Sequence, residues 1–150
     1  MKRTAMISLG CLIATTAHAD DIHRQNKISV ERINATCHDY IDGQLEGDPK
    51  RVARALHPDL AKRAVIGETD YERFGLRRMS KEELVDLTKR NALKTPQDEW
   101  DRTCAILDIT ENVASVRLET PWFVDYFHMG NFDGQWLIVN ALWMPKTIKE

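Results

Sequence analysis

Residues 122–143 read WFVDYFHMGNFDGQWLIVNALW, two alternating segments around Asp133-Gly134. An Asp-Gly pair between such segments favours a two-residue type I′ hairpin turn. That turn fixes the pairing: Phe132 with Gln135, Gly130 with Leu137, His128 with Val139, Tyr126 with Ala141 and Val124 with Trp143. These share one face, and Phe123, Asp125, Phe127, Met129 and Asn131 face the other side with Trp136, Ile138, Asn140 and Leu142. A strand whose alternate positions are polar can turn one side to water, and neither side qualifies here. Both faces therefore need a cover, or a large apolar patch stays exposed. For a small domain, helices can cover one face and a second copy of the same chain the other, through an interface of about 800 Å² per partner.

The chain begins MKRTAMISLGCLIATTAHAD. Lys2 and Arg3 precede an apolar run, and Ala17-His18-Ala19 has the small-x-small form that signal peptidase cleaves. The pattern predicts a secreted or periplasmic protein whose mature chain starts near Asp20. The run falls short of the roughly 20 apolar residues of a membrane-spanning helix. A lipoprotein signal at Ser8-Leu9-Gly10-Cys11 is the weaker alternative, because Ser8 is a poor apolar lead residue. Of 21 Lys and Arg residues two leave with the leader, so 19 face 23 Asp and Glu, a formal charge of −4. That balance gives no support for nucleic-acid binding. Cys37 and Cys104 remain; in an oxidising compartment they either pair or sit apart as small buried hydrophobes. There is no C-x-x-C spacing, no metal constellation and no cofactor motif.

From Ser29 the positions Val30, Ile33, Cys37, Tyr40, Ile41 and Leu45 recur at helical spacing, one face of a helix ending near Gly47. Asp48-Pro49 restarts a helix, with Asp as N-cap and Pro at the first helical position, and His57-Pro58 stops it. Leu60–Ile66 and Tyr71–Arg78 read as short strands joined by a turn at residues 67–70. Ser80 and Glu83 form a capping box with Met79 and Leu84 as its staple, starting a helix that runs to about Arg90. Trp100–Ile109 is a strand, and Ala114, Val116 and Leu118 alternate with polar neighbours in the next.

Helix, helix, hairpin, helix and a four-stranded antiparallel meander resemble the nuclear transport factor 2-like superfamily, also called SnoaL-like or cystatin-like. This is a cone-shaped α+β fold with N-terminal helices packed on a curved antiparallel sheet. The strings DYIDGQLEGDPKRVARALHPDLAKR, MSKEELVDL, ILDITENVASVRLE and WFVDYFHMGNFDGQWLIVNALW are similar to its "putative lumazine-binding" group. The implied organisation is a leader over 1–19, an extension over 20–27, the domain over 28–144 and a tail over 145–150. The implied function is an exported binder of a small hydrophobic or heteroaromatic ligand. The alternative is a cyclase, isomerase or dehydratase with a His/Tyr acid–base pair, since the superfamily hosts many activities.

Ketosteroid isomerases of this superfamily place a tyrosine eight residues before the aspartate that opens the second helix, and Tyr40 and Asp48 match. Such a tyrosine donates to a developing oxyanion. The isomerase's base would fall near Ala64, which has no proton-accepting group. Its second aspartate would fall near Tyr126 or His128, which puts the Val124–Trp143 face on the concave, pocket side. The opposite face, with Phe127, Met129, Trp136, Ile138 and Leu142, is then the expected homodimer surface. Asp125 and Asn140, set within it, need hydrogen-bond partners there.

The candidate ligand-binding residues are accordingly Tyr40, Tyr126, His128 and Trp143, and the candidate acid–base residues are His128, Tyr126, Tyr40 and His57. Each has a structural alternative: Tyr40 as a core tyrosine, Tyr126 and His128 as a pair bonded to backbone, Trp143 as core. His57 can act with Asp59 orienting it or can cap the preceding helix C-terminus as a cation. Lys62-Arg63 and Arg77-Arg78 read as solvated charge pairs at strand ends.

Overall fold

A computed structural model describes residues 12–67 and 74–146. The expected turn at residues 68–70, the first residues of the second strand, the start of the leader and the last four residues lie outside the described part. The elements are α1 (Leu12–Glu46), α2 (Pro49–Ala55), β1 (Leu56–Gly67), β2 (Phe74–Met79), α3 (Lys81–Lys89), β3 (Thr103–Thr110), β4 (Val113–Glu119), β5 (Phe123–Phe132) and β6 (Gln135–Pro145), with a 3-10 turn at Gln97–Glu99. Among the described residues, 12–31 belong to one unit, helical throughout, and those from Arg32 onward to a second, the α+β unit. The helix expected from Ser29 thus begins earlier, and the backbone is helical through the anticipated cleavage point.

Local chemistry sets the element ends. Gly47, at φ 76°, closes α1, and a Cβ there would meet the Asn91 side chain at 2.3 Å, so only glycine fits. The Asp48 carboxylate accepts from the backbone N–H of Lys50 and Arg51, capping α2. Pro58 does not stop a helix so much as interrupt a ladder. The parallel β1–β6 pairing skips between Leu56 and Ala61, where a residue without N–H costs nothing. Ser80 Oγ accepts from Glu83 N–H at the start of α3, the Ser80 half of the expected capping box, while the Glu83 carboxylate faces Arg77 at 3.6 Å.

The six strands run in the order β2-β1-β6-β5-β4-β3, antiparallel except for β1 against β6. One face packs against the helices. Ile33, Tyr40, Ile41 and Leu45 of α1, Val52 of α2 and Leu84 of α3 meet Val116 and Leu118 of β4, Phe127 and Met129 of β5, and Trp136 and Ile138 of β6. Cys37 and Cys104 are joined in a disulfide that ties α1 to the edge strand β3 across 67 residues.

The hairpin corrects the assignment of its faces. Asp133 and Gly134 take φ 52° and 86°, the left-handed pair of a type I′ turn, and the four pairs nearest the turn follow the expected register. Then Met129 pairs with Ile138 but His128 pairs with Asn140, leaving Val139 as a bulge. Beyond it every β6 side chain changes face: Phe127 lies opposite Ala141, Asp125 opposite Trp143, Tyr126 opposite Leu142. Phe127, Met129, Trp136 and Ile138, expected on the convex surface, are buried under the helices. Tyr126 and Leu142, each about half exposed, lie on the other side. The helices bury the Phe127 face because it carries the bulkier apolar set.

Candidate functional site

Between α1, α3 and the inner side of β1, β2, β5 and β6 lies a cavity of about 330 Å³. Leu84, Leu87 and Leu93 wall it on the α3 side, Met79 and Arg77 enter from β2, and Phe123 and Trp143 from the final hairpin. Phe123 and Trp143 meet edge to face at 6.1 Å. Tyr40 and Gln44, one turn apart on α1, and Lys62 of β1 supply the deep polar groups.

Tyr40 and Lys62 form a closed triangle with Asp125 of β5. Lys62 Nζ donates to Asp125 Oδ1 at 2.7 Å and Oδ2 at 2.9 Å, and to the Tyr40 hydroxyl oxygen at 2.8 Å. The Tyr40 hydroxyl in turn donates to Asp125 Oδ2 at 2.8 Å. All three are buried, Asp125 completely. The ammonium also lies 5.2 Å from the centre of the Trp143 ring, within cation–π range. Sequence position explains the meeting. In β1, Leu60, Lys62 and Ala64 share the inward register, and in β5 Asp125 is two residues from Phe127, so a lysine and an aspartate enter the core side from the two strands that flank β6. Neither ion could be buried without the other.

Burial first, and the Asp125 charge second, push the Tyr40 phenol well above the ordinary tyrosine range. Burial also pulls the Lys62 ammonium below the ordinary lysine value, against the upward pull of Asp125. The Tyr40 proton points at Asp125, and it stays there as long as that carboxylate is ionised. Gln44 donates to the Tyr40 carbonyl at 3.1 Å.

Of the residues expected at a site, the structure brings together Tyr40 and Trp143. Tyr126 and His128 lie across the sheet from them. His128 borders a depression of about 520 Å³ on the outer face, with Ser115 and Asn140 beside it. That depression is larger than the cavity, yet no buried charge enters it, and the cavity is the better site for that reason. His57 stands apart from both: its Nδ1 accepts from the Asp59 backbone N–H at 3.1 Å, and its ring stacks on Phe132 at 4.7 Å. The Asp59 carboxylate is 4.0 Å away and almost fully exposed, so it does not fix the imidazole. Lys81, rather than His57, caps the end of α2, donating to the Leu56 carbonyl. Sequence reasoning missed Lys62 and placed Asp125 on the wrong face. The signal that would have found them was their shared inward register with Leu60, Ala64 and Phe127.

Residues 29–144 match the model of a family described as "Putative lumazine-binding". The chain belongs to that family. No curated protein matches it. Solved structures place the family's fold. A nuclear transport factor 2-like protein of unknown function from Silicibacter pomeroyi is 17% identical, with 81% of this chain and 98% of that one covered at a TM-score of 0.64. Another from Methylobacillus flagellatus is 21% identical, with 79% and 93% covered at 0.64. A ketosteroid isomerase-like protein from Erwinia carotovora is 14% identical, with 78% and 95% covered at 0.52. At these identities the likeness is one of fold: this family member has the nuclear transport factor 2-like, cystatin-like α+β architecture.

Proposed function

We propose that the chain is an exported binding protein whose small, flat, largely apolar ligand occupies the cavity between Tyr40, Lys62 and Trp143. The observation that carries this reading is a mostly apolar and aromatic cavity ending on a buried ion pair. A pocket lined by apolar and aromatic side chains with a few fixed polar groups is the usual form of a small-molecule site. A domain that needed only a packed core would gain from leucines in place of Lys62 and Asp125. The position of the isomerase's base is held by Ala64, which can accept no proton, and this favours binding over the isomerase reading. Export rests on Lys2-Arg3, the apolar run and Ala17-His18-Ala19. Pairing with a second copy would use the outer sheet face, now with Tyr126, Leu142 and Met144, each about half exposed or more.

Tryptophan fluorescence during titration with lumazine and with flavins tests the site. The expected result is saturable quenching by at least one of them, lost in Trp143→Ala. A flat response from the unaltered chain across such heteroaromatics overturns the reading.

A further inference from the structure

A flat apolar ligand does not by itself call for a lysine at the inner end of its cavity. Lys62 nevertheless reaches the lining from β1, with Asp125 behind it and Tyr40 beside it, all three polar groups within 2.7–2.9 Å of one another. An amine that borders a cavity, a carboxylate placed to take its proton, and a hydroxyl bridging the two are the parts that imine formation needs.

We propose that Lys62 is a carbonyl-capturing amine, condensing with an aldehyde or ketone carried on the inner end of a flat, largely apolar ligand. The proposal rests on reading the cavity as a ligand site. Asp125 takes a proton from the ammonium, and the freed lone pair attacks the carbonyl carbon. The carbon–oxygen π pair moves to oxygen, which takes the Tyr40 proton while Tyr40 recovers one from Asp125. Asp125 then removes a proton from nitrogen, and the same relay returns it to the hydroxyl. Water leaves as the nitrogen lone pair forms the carbon–nitrogen double bond. The product is a protonated imine on Lys62 beside an ionised Asp125, so charge and protons balance and no oxidant or reductant is required.

The geometry suits this relay because the Tyr40 oxygen is 2.8 Å from both Nζ and Oδ2. Burial makes the ammonium easier to deprotonate than that of a surface lysine. The charged and titratable groups around it are Asp125 from β5, Tyr40 from α1 and Arg77 from β2. Arg77 is itself 3.6 Å from Glu83 of α3, and β6 contributes the Trp143 ring. Asp125 and the Trp143 ring favour the ammonium, so capture is expected to start only when the carboxylate takes the proton, next to the waiting carbonyl.

The test uses the full chain, 2-naphthaldehyde and sodium cyanoborohydride at pH 7, with peptide mapping by mass spectrometry and a parallel fluorescence titration without reductant. Exposed lysines, with pKa values near 10.4, are almost wholly protonated there. The expected result is tryptophan quenching and a reduced adduct on Lys62 and no other lysine; the α-amino terminus, with a pKa of about 8, labels as well. Lys62→Arg should give none at that position, and Tyr40→Phe should form it about a hundredfold more slowly. Quenching together with label spread over surface lysines and an unmodified Lys62 overturns the capture while leaving the binding site standing. Neither quenching nor a Lys62 adduct overturns both. Mapping the unaltered chain decides the assignment, so it does not depend on a variant that folds.

Discussion

Taking one ammonium or carboxylate out of water costs several kcal/mol even after relaxation, and Lys62 and Asp125 offset that cost only through each other and Tyr40. Removing one partner is therefore worse than removing both. Lys62→Met should lower stability in urea unfolding by about 3 to 5 kcal/mol, because it strands a carboxylate with no exposure at all. The double replacement Lys62→Met with Asp125→Leu should recover most of that loss; a double variant no better than the single one would show that the pair does not hold the site. Tyr40 gives a second readout. Its folded pKa is raised, so its contribution to stability is complete below the unfolded phenol's value near 10. It is lost as pH climbs above that, because the unfolded chain ionises first. Of the three tyrosines in the chain, Tyr40 should be the last to ionise at 295 nm, and that late step should vanish in Tyr40→Phe. A full titration completed near pH 10 with the fold intact would contradict it.

Elements show where sequence is readable and where it is not. The caps of α2 and α3 were legible because in each a side-chain oxygen accepts from backbone N–H groups two or three residues on, regardless of tertiary context. The Asp133-Gly134 turn was legible for the same reason. The bulge at Val139 was not, since an extra residue in one strand leaves alternation intact on both sides and merely changes which side is in. Its cost to a sequence reading was large: Asp125, Trp143, Tyr126 and Leu142 all change neighbours, and with them the lysine partner disappears from view. Whether Cys37 meets Cys104 was equally invisible, as it needs α1 laid against β3. Closing a loop of 67 residues should stabilise by about 4 kcal/mol through the unfolded chain. Replacing both cysteines with serine should lower stability by roughly that amount in denaturant, with circular dichroism unchanged in the absence of denaturant. A loss below about 1 kcal/mol would mean the unfolded chain is already held compact by other contacts.

The whole molecule turns on which side of the sheet is inside. Helices shield Phe127, Met129, Trp136 and Ile138, while the outer side carries Tyr126 beside Leu142 and Val124 beside Met144 in adjacent ladder pairs. Exposures of 51% for Tyr126, 49% for Leu142 and 59% for Met144 leave a contiguous apolar strip in water, which is the kind of surface that a second copy covers. Two substitutions separate the roles of the two faces. Phe127→Glu puts a charge into the packed layer under α1 and should unfold the chain. Leu142→Glu puts the same charge on the outer strip and should leave far-UV circular dichroism unchanged. In sedimentation at micromolar concentration the unaltered chain should run as a dimer and Leu142→Glu as a monomer, because two copies of one patch would then meet with like charges across their shared axis. A dimer that survives Leu142→Glu would place the partner elsewhere. An unaltered chain that is monomeric would mean the strip is covered by some other partner or tolerated bare. Unfolding by Leu142→Glu with Phe127→Glu tolerated would reverse inside and outside, and with them the burial of Asp125 on which the Lys62 site depends.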